Sequence, residues 1–173
     1  MDTITKKEAK NLKKRTVALS KRLNLYMYIA IVLYVCNYLI YIKHPHLFAN
    51  YNTAIGGILF LCLYIDYRLL QINNLYLQSL LMSVAILAQA FLLHTKFNNP
   101  GNFASLLFGA SVPFLFLVLQ KILRSVFILL LKREPFIEKR TRFQDKIYQI
   151  ILLLGPFILA IVFAAYASRY YFK

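Results

Sequence analysis

Residues 103–131 read FASLLFGASVPFLFLVLQKILRSVFILLL, with one amide and two cations, Gln120, Lys121 and Arg124, in an otherwise apolar run. A helix of about 20 such residues crosses a ~30 Å hydrocarbon core. The run therefore sets the solvent of this part of the chain before it sets anything else. Working outward, residues 23–42, 54–70, 75–93 and 147–167 form four further apolar runs of comparable character. The pattern predicts an all-α, polytopic integral membrane helical bundle of about five transmembrane helices. A basic cytoplasmic helix over 1–22 precedes a single transmembrane domain over 23–173, because no remaining stretch is long enough to bury a separate soluble core.

Composition agrees. The 173 residues are 60% hydrophobic, with mean hydropathy +0.59. Formal net charge is +15, from 21 Lys and Arg against 6 Asp and Glu. In a soluble protein that balance would point to nucleic acid, but here the cations flank apolar spans. Lys and Arg beside a span fix its orientation and attract anionic headgroups, so the expected partner is an anionic bilayer and not a nucleic acid.

Charge also orders the connections. The N-terminal segment holds Lys6, Lys7, Lys10, Lys13, Lys14, Arg15, Lys21 and Arg22. The 43–53 and 94–102 connections hold one Lys each, whereas 132–146 holds Lys132, Arg133, Lys139, Arg140, Arg142 and Lys146. The positive-inside rule predicts a cytoplasmic N-terminus and, after five spans, an outer C-terminus, in a cell inner or plasma membrane. The connection after the second run, with only Asp66 and Arg68, is close to neutral. Tyr26, Tyr28, Tyr38, Tyr41, Tyr51, Tyr64, Tyr67, Tyr76, Tyr148, Tyr166, Tyr170 and Tyr171 gather near span ends, where amphipathic rings meet headgroups. The first run has no small-residue cleavage site after it, which predicts a signal-anchor.

Thr5-Lys6-Lys7-Glu8 fits a capping box opening the N-terminal helix. Asn52-Thr53 and Asn102 are expected to cap the second and fourth spans, and Asn73-Asn74 to separate the second from the third. Gly56-Gly57 predicts a close helix approach. Gly155-Pro156 predicts a kink in the last span. The fourth run is longer than a bilayer needs: it is one long helix, or a span over 103–120 followed by an interfacial turn over 122–131. The lack of Gly or Pro in 114–134 favours the long helix.

Five residues form a candidate anionic-lipid or ion-pair cluster at the inner ends of the second and fourth spans: Asp66, Arg68, Gln120, Lys121 and Arg124. Asp66 is expected to pair with Lys121 or Arg124, and Gln120, Lys121 and Arg124 to offer donors to a lipid phosphate. The 132–146 connection is a candidate docking loop through Arg133, Phe136, Glu138, Arg140 and Arg142, with Glu138 and Arg142 at helical i,i+4 spacing. Asn37 and Gln89 are expected to bond between helices. Cys36 and Cys62 read as packing residues. His44, His46 and His94 lack an orienting carboxylate, so no metal site is expected. No cofactor is expected either.

The span centres lack Lys, Arg, Asp and Glu, which argues against proton relays and ion coupling. Catalytic signatures are absent from the sequence. The leading expectation is a non-enzymatic accessory, assembly or immunity-type membrane protein acting through helix faces and basic loops, with a protein partner or a second copy. The alternative is a small transporter or lipid-handling protein.

Overall fold

The computed structural model describes residues 45–92, 100–135 and 143–171, with single positions between 17 and 40. The described residues form a helical bundle without strands. Four helices carry it: α1 (Pro45–Ile65), α2 (Asn73–Leu92), α3 (Pro100–Leu131) and α4 (Phe143–Tyr171). A short 3₁₀ turn over Tyr67–Gln71 joins α1 to α2. All four are long and apolar enough to cross a membrane. The described positions between 17 and 40 are helical, and Ile31–Ile40 is an apolar stretch shorter than a full span.

Two helices start with proline, at Pro45 and Pro100. A first-turn residue needs no backbone N–H, so proline is at home there. This moves both starts upstream of the expected caps. Asn52 and Thr53 lie inside α1, and Asn102 lies in the first turn of α3. The fourth run is one continuous helix of 32 residues, with Pro113 inside it. Helix α4 likewise continues through Pro156 over 29 residues.

Helix α3 is the axis of the bundle and packs on the other three. Its contacts with α1 advance in step, from Thr53–Ser105 through Gly56–Gly109 to Phe60–Phe116, so the two helices are parallel. Phe91 meets Phe103 while Tyr76 meets Leu117, so α2 runs antiparallel to α3. Tyr171 meets Phe103 and Tyr148 meets Phe127, so α4 is antiparallel as well.

The α1–α3 crossing is set by absent side chains. A methyl group on Gly56 would overlap the carbonyl of Gly109, and one on Gly109 would overlap the backbone of Thr53. Small residues at a crossing let backbones approach closely where lipid offers no hydrophobic drive. Gly57 faces open space and takes no part. The close approach brings polar side chains within reach of facing carbonyls. Thr53 Oγ1 lies 2.9 Å from the carbonyl oxygens of both Ala49 and Ser105, to which it donates. Asn52 Nδ2 donates to Leu106 O at 3.3 Å.

Aromatic side chains fill the middle and one end. Phe60 packs edge-on against Phe116 at 5.3 Å and Phe157 at 4.8 Å, joining α1, α3 and α4. Phe91, Phe103 and Tyr171 close the other end of the bundle, with centroids 5.8–6.4 Å apart. Such pairs each add about 0.5–1.5 kcal/mol beyond their buried area.

Register makes the two ends unlike. At one end Pro45, Leu92, Pro100 and Tyr171 are nearly level. At the other, α1 and α2 stop near Lys121 of α3, beside which Tyr76 lies. The last ten residues of α3 and the facing start of α4 continue beyond them, about 15 Å at ~1.5 Å per residue. Val17, Lys21 and Asn24 share a cleft with Ile72, Asn74 and Gln78, which places them at this second end too. Lys21, the 66–72 connection and both flanks of the 136–142 connection therefore lie together. This is the basic end of the bundle.

Candidate functional site at the basic end

The sequence concentrates ionisable groups here, and two helix termini position them. Helix α3 ends at Leu131, and Lys132 turns the chain with φ 52°. A left-handed residue after a helix is usually Gly, whose missing side chain avoids strain. The Lys132 amide donates to Ile128 O at 2.8 Å. The turn swings Arg133 and Glu134 back toward the hairpin that α3 and α4 form.

Two ion pairs result. Arg124 donates through Nε and Nη2 to both oxygens of Glu134, at 2.9 and 2.7 Å. Those donated bonds hold the Glu134 carboxyl below its ordinary range, since they favour its charged form. Arg133 donates through Nη1 and Nη2 to both oxygens of Asp145, at 3.0 and 3.2 Å. The Asp145 side chain is only 3% exposed. The Arg133 guanidinium also lies 5.1 Å from the centre of the Phe127 ring, on α3. Bidentate Arg–carboxylate geometry gives both direction and strength. Asp145 also occupies the first turn of α4, where a negative charge suits the helix dipole.

The expected cluster is divided by this arrangement. Arg124 takes Glu134 as its carboxylate, and Lys121 lies 5.2 Å from the centre of the Tyr76 ring. The expected Asp66–Lys121 or Asp66–Arg124 pair is therefore not formed. Asp66 is buried at the start of the α1–α2 connection. Arg68 lies in the 3₁₀ turn, and its side chain is outside the described residues. Gln120 is 0% exposed and points into the bundle, away from the exposed Lys121, and neither end of its amide meets a hydrogen-bond partner. Gln120, Lys121 and Arg124 consequently do not converge on one phosphate. Successive helix positions turn by about 100°, which puts Gln120 and Lys121 on different faces.

The docking-loop residues divide as well. Arg133 faces inward, on Asp145 and Phe127. Phe136, Glu138, Arg140 and Arg142, including the expected Glu138–Arg142 pair, lie outside the described residues, as do Asn37 and the histidines' expected surroundings.

Gln89 is buried, and its Oε1 meets no donor. Asn52, Thr53 and Tyr76 make bonds between helices, Tyr76 donating to Leu117 O at 3.3 Å. Cys62 is half-buried, as a packing residue would be, whereas Cys36 is exposed. Among the described residues no His, Cys, Asp and Glu cluster fits a metal.

Sequence reasoning missed Glu134 and Asp145. Their signal was present, since each lies on an edge of a basic segment within reach of an arginine. The turn at Lys132 that brings them together was not readable. The chain matches no family model, no curated protein and no solved structure.

Proposed function

We propose that this protein is a non-enzymatic, multi-pass protein of the cell inner or plasma membrane, of accessory, assembly or immunity type. It works through helix faces presented to another membrane protein, with its basic end in the cytoplasm and its C-terminus outside. One observation carries this reading: α3 and α4 continue past α1 and α2 as a hairpin held by two ion pairs, and its tip is apolar. Leu129 is 78% exposed and Phe143 76%. Helices α1 and α2, of 21 and 20 residues, match a ~30 Å hydrocarbon core at ~1.5 Å per residue, so the hairpin tip stands at or beyond the headgroups. Large apolar side chains held rigidly outside the hydrocarbon mark an interaction site.

The chemistry of the basic end supports binding over catalysis. Arg124, Arg133, Glu134 and Asp145 are committed to each other, and Lys121 to an aromatic face.

The test is a photo-crosslinking residue in place of Leu129, irradiated in native membranes. A discrete adduct heavier than the chain, formed reproducibly with one protein or with a second copy, is expected. Adducts with lipid alone, at Leu129 and at Phe143 alike, would refute a protein partner at this tip.

A further inference from the structure

Two buried polar side chains lie inside the basic end. Gln120 on α3 is 0% exposed and Tyr148 on α4 3%. Both polar atoms of the Gln120 amide and the Tyr148 hydroxyl are covered, and none of the three meets a hydrogen-bond partner within the chain. Buried polar groups nearly always have a partner, because an unmet one costs much of what folding gains.

The two residues share a neighbourhood. Gln120, Arg124 and Phe127 follow one another at i, i+4 and i+7, the spacing of a single face of α3. Tyr148 meets the other two members of that stripe. Its ring stands edge-on to Phe127, with 5.5 Å between centroids, and it lies within electrostatic reach of Arg124. Tyr67, just past the end of α1, is within the same reach. One turn before Gln120, Phe116 packs on Phe60 and Tyr64 and closes the space toward the middle of the bundle. Outward the surroundings turn polar. Arg124 and Glu134, paired at 2.7 Å, have side chains 19% and 50% exposed, so a polar path leads from solvent to this stripe. Gln120 also precedes Lys121, the level at which α1 and α2 stop, so the path is short.

We infer that ordered water occupies the core beside Gln120 and Tyr148, bonded to the amide and the hydroxyl, and that it enters past the Arg124–Glu134 pair. The donor and acceptor pattern selects this ligand. The amide offers two N–H donors and one acceptor, and the phenol one of each. Water supplies both kinds of bond and is small enough for atoms this covered. A lipid phosphate would leave Gln120 Oε1 unmet. A metal cation would leave the Nε2 donors unmet and be repelled by Arg124. The site is separate from the apolar tip, and it stands whether or not a protein docks there.

The experiment places the full chain in lipid nanodiscs and exposes it to brief X-ray pulses. Hydroxyl radicals then form from water in place, and the labelled side chains are located by mass spectrometry. Tyr148 is expected to be labelled at least about tenfold faster than Phe116, an equally buried ring with apolar neighbours, since a bound water generates its radical beside the ring. Gln120→Leu should lower Tyr148 labelling about fivefold by removing the amide that holds the water, and leave the exposed Tyr166 unchanged. Gln120→Met, closer in shape, should act the same way if the leucine variant does not fold. Labelling of Tyr148 no faster than that of Phe116 in the native protein overturns the inference. So does Tyr148 labelling that persists undiminished in a folded Gln120 variant, because the ring would then be reached by opening of the bundle and not by bound water.

Discussion

Asp145 and Glu134 both accept two hydrogen bonds from an arginine, yet they are not equivalent. Asp145 is buried while the Glu134 side chain is 50% exposed. Removing one partner of a buried pair leaves an uncompensated charge and costs about 3–5 kcal/mol. Breaking an exposed pair costs less than ~1 kcal/mol. Arg133→Ala should therefore lower thermal stability clearly, and Glu134→Gln only slightly; melting curves in detergent separate the two. The same comparison gives a pH dependence. Glu134 has a depressed pKa in the fold, so its contribution is complete above the unfolded carboxyl range, near pH 4.3. It is lost as pH falls from there through the lower folded value. Hairpin proteolysis should rise in that acid window in the native protein, and the step should be absent in Glu134→Gln.

At the scale of the helix, the α1–α3 crossing is the most demanding contact. Gly109→Ala must push the helices apart at Thr53 and so weaken the bonds that Thr53 and Asn52 make across the interface. Overpacking of this kind costs about 1–3 kcal/mol. Gly57→Ala, one residue from the contacting Gly56 and facing open space, should be tolerated. Thermal melting of the pair checks both. This crossing was half legible in the sequence: Gly56-Gly57 announced a close approach, but periodicity alone did not say which glycine or which partner. Helix existence was legible for the four described spans, because apolar runs of this length have few alternatives in lipid. Starts were less so. Pro45 opens its helix upstream of Asn52 and Thr53, whose side chains bond across a tight interface instead of capping, and Pro100 opens the other two residues before Asn102. The candidate cluster was legible as a neighbourhood, since Gln120, Lys121 and Arg124 do lie at the end where α1 and α2 stop. Its pairing was not, because that depends on a left-handed turn at Lys132, a conformation that sequence does not announce in a lysine.

For the molecule as a whole, the unequal ends carry the meaning. The 43–53 and 94–102 connections, with one Lys each, adjoin the level end, whereas Lys21, Lys132, Arg133 and Lys146 lie at the end from which α3 and α4 project. The excess of Lys and Arg at one end is what the proposed cytoplasmic placement of that end rests on, through the positive-inside rule. Single cysteines in a background of Cys36→Ser and Cys62→Ser, labelled with a membrane-impermeant thiol reagent, decide the matter. Val17→Cys and Lys132→Cys should react only when the cytoplasmic face is opened. Asn102→Cys and Tyr170→Cys should react in intact cells. Labelling of Val17→Cys and Lys132→Cys from opposite sides would contradict the shared basic end itself, and labelling of both from outside would contradict its place in the cytoplasm.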